Sequence, residues 1–325
     1  MLRVLGRRLA TGAVTLLLVS ALVFGLIHLA PGAPPGAADE GIRSLGAEAT
    51  AELRALYHLD RPLHERYVLW LSDLSRGDLG RSFHDRRPVA DKIAERVGTT
   101  LLVNGLSLAL MALLAVPLGA LAALRPGSWS DRIGGCASFA LYALPVFWAA
   151  ILLQMLFAAR LDWLPLAGVR SQGWELLPPA ARVADRAAHL VLPVACLSYG
   201  GIAYLSRFVR AVLVEGGLAE SRRAARARGR SESGVVLFHG FRLAGVPLLT
   251  LAGFLLPALV SGSVIVETIF ALPGLGRLFV EAAFQRDVPV LMALTLLTGT
   301  ATLVGTAAAD LTYAIVDPRV RRGKA

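Results

Sequence analysis

The side chains that could carry chemistry are scattered along this chain and do not form a catalytic motif. Its six histidines stand singly, and each of its two cysteines lies inside an apolar run. No GxxxxGK[ST] phosphate loop, HExxH metal motif, GxSxG nucleophile turn or CxxC pair occurs. We therefore expect neither ATP hydrolysis nor intramembrane hydrolysis from this chain, and no metal or other cofactor bound by it.

One stretch, residues 215–242, has the composition of a contact surface. Five arginines lie from Arg222 to Arg230, although apolar segments flank the stretch on both sides. The residues before Gly229 are strong helix formers, and a glycine suits the positive φ at a helix C-terminus. Ser231 can cap a second short helix. The pattern predicts two helices around a hinge that touches a partner. The alternative is a solvated basic loop that only sets membrane topology.

A second unusual segment, residues 267–289, is apolar but too short to span a bilayer. Residues 273–276 read Pro-Gly-Leu-Gly, which predicts a sharp turn, and Arg277–Phe284 has the pattern of a short amphipathic helix. Such a segment between two spans indicates a re-entrant or interfacial piece near the mouth of a translocation path.

Asp310 is an acidic residue well inside an apolar segment, and intramembrane carboxylates are functional candidates by default. We favour a structural role for it, as the partner of Arg207 or Arg210, which should lie at the same depth. No series of acids or histidines follows one path, as a proton relay would require.

The elements that must position these residues are membrane helices. The 325 residues are 55% hydrophobic and 17% charged, which is too apolar for a soluble domain. Runs long enough to cross a bilayer core of about 30 Å predict six helices. The predicted spans are Leu9–Ala30, Thr99–Leu124, Gly134–Ala159, His189–Ser206, Leu243–Val266 and Val288–Ala309.

Basic residues set the predicted orientation. The N-terminal end, the loop after the second span, the loop after the fourth span and the C-terminal tail together hold 17 arginines and lysines. The two short loops on the other side hold six. The positive-inside rule therefore places both termini in the cytoplasm. The net charge of +10 follows from this topology, and a nucleic-acid partner is not expected because no aromatic residues are interleaved with the arginines.

The chain divides into a tail and first span (1–30), an external helical loop (31–98), a core of five spans (99–316) and a cytoplasmic tail (317–325). In the external loop, Leu63 to Leu74 has amphipathic helical spacing. Pro88 begins another helix, Val89–Val97, which can run directly into the second span.

Four sequence blocks carry a resemblance to a known family. They are RAARARG (residues 223–229) with Pro247 downstream, the segment from Leu59 to Phe83, ETIFALPGLGRL (267–278) and DLTYAIVDPRVR (310–321). Together they resemble inner-membrane permeases of binding-protein-dependent ABC importers, in the dipeptide, oligopeptide and nickel family. The most similar type is the first permease of the pair, the DppB or OppB type.

The resemblance implies the type I ABC importer permease fold and a role for each block. The 215–242 loop would couple to an ATPase through Glu220, Arg223, Ala224, Ala225, Arg226, Arg228 and Gly229. Arg223 stands where the family motif has glutamate, so a salt bridge from that acid is not implied. The external gate would include Glu267, Pro273, Gly274, Leu275 and Gly276.

The resemblance also implies partners and cargo. These are a second homologous permease, two ATPase subunits that hold ATP and Mg, an extracytoplasmic peptide-binding protein and the lipid bilayer. Di- or oligopeptides are the expected cargo. Nickel, glutathione or another small solute is the alternative within the same architecture, and an ion-coupled secondary transporter is the alternative class.

Overall fold

The computed structural model describes residues 2–29, 61–215, 229, 234 and 258–316, and regular structure in these ranges is helical. The helices are α1 (Leu2–Leu29), α2 (Leu63–Ser75), α3 (Val89–Leu124), α4 (Trp129–Ala143), α5 (Val146–Leu153), α6 (Pro179–Glu215), α7 (Ala258–Ser261), α8 (Val264–Ile269), α9 (Leu275–Gln285) and α10 (Val288–Val316). A π-helical turn, Gln154–Arg160, extends α5, and a 3-10 turn covers Trp174–Leu176. The predicted all-α membrane class agrees with this helical architecture.

Four helices, α1, α3, α6 and α10, are long and apolar enough to cross a membrane. The bent pair of α4 with α5 and its π-helical turn would make a fifth. Most of the predicted fifth span, residues 243–266, lies outside the described residues. Six spans with both termini in the cytoplasm therefore remain a prediction.

Helix α3 has 36 residues and joins the predicted external loop to the bundle without a break. Pro88 precedes its first residue, where a missing N–H is tolerated, so the predicted Val89–Val97 helix continues into the second span as expected. The helix packs along α6 at very short range, because a Cβ on Gly119 would lie 2.5 Å from the Ser206 carbonyl oxygen. The buried side chains of this contact include Met111, Ala115, Val209 and Leu213.

The predicted third span is not one straight helix. α4 ends at Ala143, Leu144 is extended, and α5 begins after Pro145, so that the two helical pieces meet at 96°. A proline disfavours helical backbone at the preceding residue, which accounts for the break at Leu144. The segment therefore turns sharply within the bundle.

The segment from α7 to α9 is also broken. Gly262 has a φ of 68° between α7 and α8, and a turn at residues 270–274 separates α8 from α9. The predicted short helix at Arg277–Phe284 is confirmed as α9, which is slightly longer at both ends. Phe270 and Leu272 are fully buried and anchor the turn in the core.

Candidate functional site

The centre of the candidate site is the Glu267 carboxylate on α8, which is 2% exposed. Its Oε1 accepts a hydrogen bond from Thr100 Oγ1 at 2.9 Å, and its Oε2 accepts one from the Arg277 amide at 2.9 Å. The Gly276 amide also donates to it. Thr100 Oγ1 in turn accepts from the Leu275 amide at 2.8 Å. One buried carboxylate thus joins α8, the first turn of α9 and the transmembrane helix α3.

The glycines of the Pro-Gly-Leu-Gly turn are required by this carboxylate. A Cβ on Gly274 would overlap the carboxyl group of Glu267. A Cβ on Gly276 would lie 2.8 Å from the Val264 amide nitrogen and 3.0 Å from Glu267 Oε2. The turn predicted from sequence is therefore also the wall of a polar site, which the turn signal alone did not indicate.

Residues 267–289 contain the predicted gate and are called the gate segment below. The far end of this segment is held by a second buried carboxylate. Asp287 is fully buried, its Oδ1 accepts from the Phe83 amide at 3.0 Å, and its Oδ2 accepts from Ser82 Oγ. Lys92 Nζ on α3 donates to Ser82 Oγ at 3.0 Å and lies 3.8 Å from Asp287 Oδ2. We call Ser82, Asp85, Lys92 and Asp287 the Asp287 cluster.

Asp85 completes the Asp287 cluster at its solvent side, with Oδ2 at 2.9 Å from Lys92 Nζ. Burial of Asp85 opposes its charged form. Hydrogen bonds from Lys92 and from the Arg87 amide, together with the positive charge of Lys92, outweigh that cost and lower the pKa of the Asp85 carboxyl to about 2. The cluster therefore keeps Asp85 charged throughout the ordinary pH range.

A third, more exposed contact joins α3 to α9. Arg96 on α3 donates to Glu281 on α9 at 2.7 Å, and Arg277 donates to the other oxygen of Glu281 at 2.9 Å. Because these side chains are 25–37% exposed, the contact orients the two helices more than it stabilises them.

The loop between the bent span and α6 rests on the gate segment. The Gly168 amide donates to the Phe270 carbonyl at 2.8 Å. The side-chain amide of Gln154 donates to the carbonyl oxygens of Leu166 at 2.8 Å and Ile269 at 3.2 Å. Gln154 therefore ties this loop to the end of α8.

At the opposite end of the bundle, Asp131 on α4 is 4% exposed and binds two arginines of α6. Its Oδ1 accepts from Arg207 Nη1 at 2.9 Å and from Arg210 Nε at 2.6 Å, and its Oδ2 accepts from Arg210 Nη2 at 2.5 Å. We call these three residues the Asp131 clamp. Both arginines thus have a partner that the sequence interpretation missed. The side chain of Asp310 lies outside the described residues, so its predicted pairing is not tested.

Most of the predicted coupling loop also lies outside the described residues, including Glu220, Arg223, Ala224, Ala225, Arg226 and Arg228. Gly229 is described: it is exposed, has a φ of 68°, and no atom of another described residue lies within 4 Å of the position of a Cβ. A left-handed backbone at this glycine agrees with the expected helix terminus, while the flanking helices remain predicted.

The predicted gate residues Glu267, Gly274, Leu275 and Gly276 are thus brought together, and their partner Thr100 was missed. Glu267, Asp131 and Asp287 share one signal that could have found them. Each is a carboxylate at the boundary of a long apolar run, where a buried charge requires a nearby donor. Among the described residues, no three His, Cys, Asp or Glu side chains are placed to share a metal ion.

Comparison with known proteins gives two family matches. Residues 115–322 match the binding-protein-dependent transport system inner membrane component, and residues 1–104 match the N-terminal membrane component of such systems. The chain is 37% identical to the oligopeptide transport system permease protein AppB of Bacillus subtilis over 97% of this chain and 98% of that protein. It is 34% identical to the oligopeptide permease OppB of Haemophilus influenzae, over 99% and 100%. Identity is also 34% to the glutathione transport system permease protein GsiC of Salmonella typhimurium, over 94% and 95%.

Proposed function

Because the chain belongs to the family of binding-protein-dependent transport system inner membrane components, we propose that it is the permease subunit of an ATP-driven importer of di- and oligopeptides. The observation that carries the proposal is the gate segment. A broken helix is turned back at one end of the bundle by a buried carboxylate, in a chain similar over nearly its whole length to oligopeptide permeases.

The contacts support a mechanism by which movement of the coupling loop is transmitted to the gate segment. The loop begins where α6 ends, and α6 packs along the whole inner part of α3. Helix α3 carries Thr100, which bonds Glu267, and Lys92, which holds the Asp287 cluster. A displacement of α6 by a partner ATPase would therefore move α3 and the gate segment as one packed unit.

The other subunits of the proposed importer are separate chains. Since the sequence has no phosphate-binding loop, ATP and Mg belong to two partner ATPase subunits, which receive the 215–242 loop. The arginine distribution supports cytoplasmic termini, with the gate segment facing an extracytoplasmic binding protein. A second homologous permease completes the wall of the path, and the two rock between inward-open and outward-open states.

A second candidate cargo is glutathione, itself a tripeptide, because the glutathione permease GsiC is similar over 94% of this chain. The two cargoes are distinguished by purifying this chain in complex with a second permease, the ATPases and a binding protein. We expect ATP hydrolysis to rise with oligopeptide and not with glutathione. If only glutathione stimulates ATP hydrolysis, glutathione is the cargo. ATP-independent transport by the isolated chain on an ion gradient would refute the proposal that the chain belongs to an ATP-driven importer.

A further inference from the structure

A cavity of about 810 Å³ lies between α4 and α6, at the end of the bundle opposite the gate segment. One end of it is basic, with Arg132, Arg207 and Arg210, and its walls are aromatic. Arg207 stands where α6 leaves the predicted fourth span, His189–Ser206. In the topology of the proposed function, on which this inference rests, the cavity opens at the cytoplasmic membrane boundary.

Among the side chains that the structure describes, the basic end keeps an excess of positive charge after its internal pairing. Asp131 balances one of the two arginines in the Asp131 clamp, and Arg132, exposed on the next position of α4, adds a further positive charge. The pairing occupies Nε and Nη2 of Arg210 and Nη1 of Arg207. In the part of the chain that the structure describes, the other guanidinium N–H groups of these two arginines meet no acceptor, so they can donate to an anion.

The walls of the cavity are apolar and open. Phe139, Tyr142 and Tyr204 are 75%, 62% and 51% exposed, and the Tyr204 ring stacks with Phe208 at 6.4 Å between centroids. Exposed aromatic side chains of this kind favour the interfacial layer of a membrane.

Charge and apolar surface are arranged in sequence along both helices. Phe139 lies two turns, about 10 Å, beyond Arg132 on α4, and Tyr204 lies one turn before Phe208 on α6. Because α6 runs back towards the boundary that α4 leaves, both helices pass from basic residues at the boundary to aromatic residues deeper in the membrane. An amphiphile with an anionic head and a hydrocarbon tail matches this order, whereas the walls offer few polar groups to a peptide backbone.

We propose that this cavity is a binding site for an anionic phospholipid of the cytoplasmic leaflet. Arg132, Arg207 and Arg210 hold the headgroup phosphate, and an acyl chain lies along Phe139, Tyr142 and Tyr204. Basic pockets between membrane helices at this face suit such headgroups.

The native Cys136 provides a reporter, because it is exposed and lines the cavity, whereas Cys196 is buried. The whole transporter is placed in nanodiscs of phosphatidylglycerol or of phosphatidylcholine, and N-ethylmaleimide labelling of Cys136 is followed by peptide mass spectrometry. We expect labelling at least fivefold slower in phosphatidylglycerol. Arg132→Gln should remove roughly fivefold of that protection, the factor for one basic group near an anionic surface. Arg125→Gln, at the same boundary but outside the cavity, should leave the protection unchanged.

Equal labelling in both lipids, or protection that survives both Arg132→Gln and Arg207→Gln, would overturn the site. Slow labelling in every lipid would mean that another subunit covers the cavity and would also overturn it. Protection in phosphatidylcholine by inorganic phosphate or by peptide would assign a different ligand. Peptide-stimulated ATP hydrolysis is measured on the same samples. If peptide does not stimulate ATP hydrolysis but the lipid still protects Cys136, the proposed transport function is wrong and the lipid site stands.

Discussion

Replacing Glu267 tests whether its buried charge organises the gate segment. The carboxylate accepts from Thr100 and from the amides of Gly276 and Arg277. In Glu267→Gln, one side-chain oxygen can still accept from the amides, and the new N–H₂ group can donate to Thr100. Hydrogen bonds to charged groups contribute about 1.5–3 kcal/mol and neutral ones about 0.5–1.5 kcal/mol, so weakening two amide bonds costs about 2 kcal/mol. Glu267→Ala leaves both buried amides without an acceptor, at about 4 kcal/mol in total.

The assay is amide hydrogen exchange of the peptide that covers α9 in the purified transporter, since exchange reports local opening. Because about 1.4 kcal/mol is tenfold, exchange should be roughly 30-fold faster in Glu267→Gln and about a thousandfold faster in Glu267→Ala. Glu281→Gln is the matched control on the same segment, where a partly exposed ion pair is worth about 0–1 kcal/mol. If Glu267→Gln exchanges at the wild-type rate, apolar packing of Leu275 and Leu278 holds the gate, and the reasoning from charge is wrong.

Three further predictions concern the loop and the two polar clusters. Gly229→Val should reduce peptide-stimulated ATP hydrolysis severalfold, because a φ of 68° costs a residue with a Cβ about 1–2 kcal/mol. The Asp287 cluster should open in acid, measured by exchange of the Phe83 amide. Asp85 has a depressed pKa, so its contribution is complete above about pH 4 and is lost as the pH falls through about 2. Asp131→Asn should lower the stability of the folded transporter by about 2–3 kcal/mol, less than for a fully buried pair because Arg210 is partly exposed.

Each of these has a control within the chain. Gly77→Val imposes the same backbone strain at a φ of 81° in the external loop and should leave ATP hydrolysis intact, so an equal loss would remove the coupling role of Gly229. Asp91→Asn, exposed on α3, should keep the acid transition, whereas Asp85→Asn should abolish it. If the acid transition is unchanged in Asp85→Asn, a group other than Asp85 causes it. Arg125→Gln, exposed at the same boundary but outside the Asp131 clamp, should preserve the thermal unfolding midpoint, and an equal drop there would show a general charge effect.

The all-helical membrane class and several element boundaries followed from local information. Apolar runs of sufficient length predict spans, Pro88 marks the start of α3, and the Pro-Gly-Leu-Gly run marks the turn before α9. Each of these signals depends on residues within one or two helical turns. The 96° bend at Pro145 was not predicted, because residues 134–159 were interpreted as one span, although a proline disfavours helical backbone at the preceding residue.

The partners of the buried charges were decided by the tertiary structure. Thr100 and Glu267 are 167 positions apart, and Asp131 and Arg210 are 79 positions apart. Composition shows that a carboxylate beside an apolar run must find a donor, because an unpaired buried charge is too costly, but many donors satisfy that condition. Which donor it is depends on how the helices pack. The close approach of α6 to Gly119 on α3 is one such contact, and no pattern within either helix specifies it.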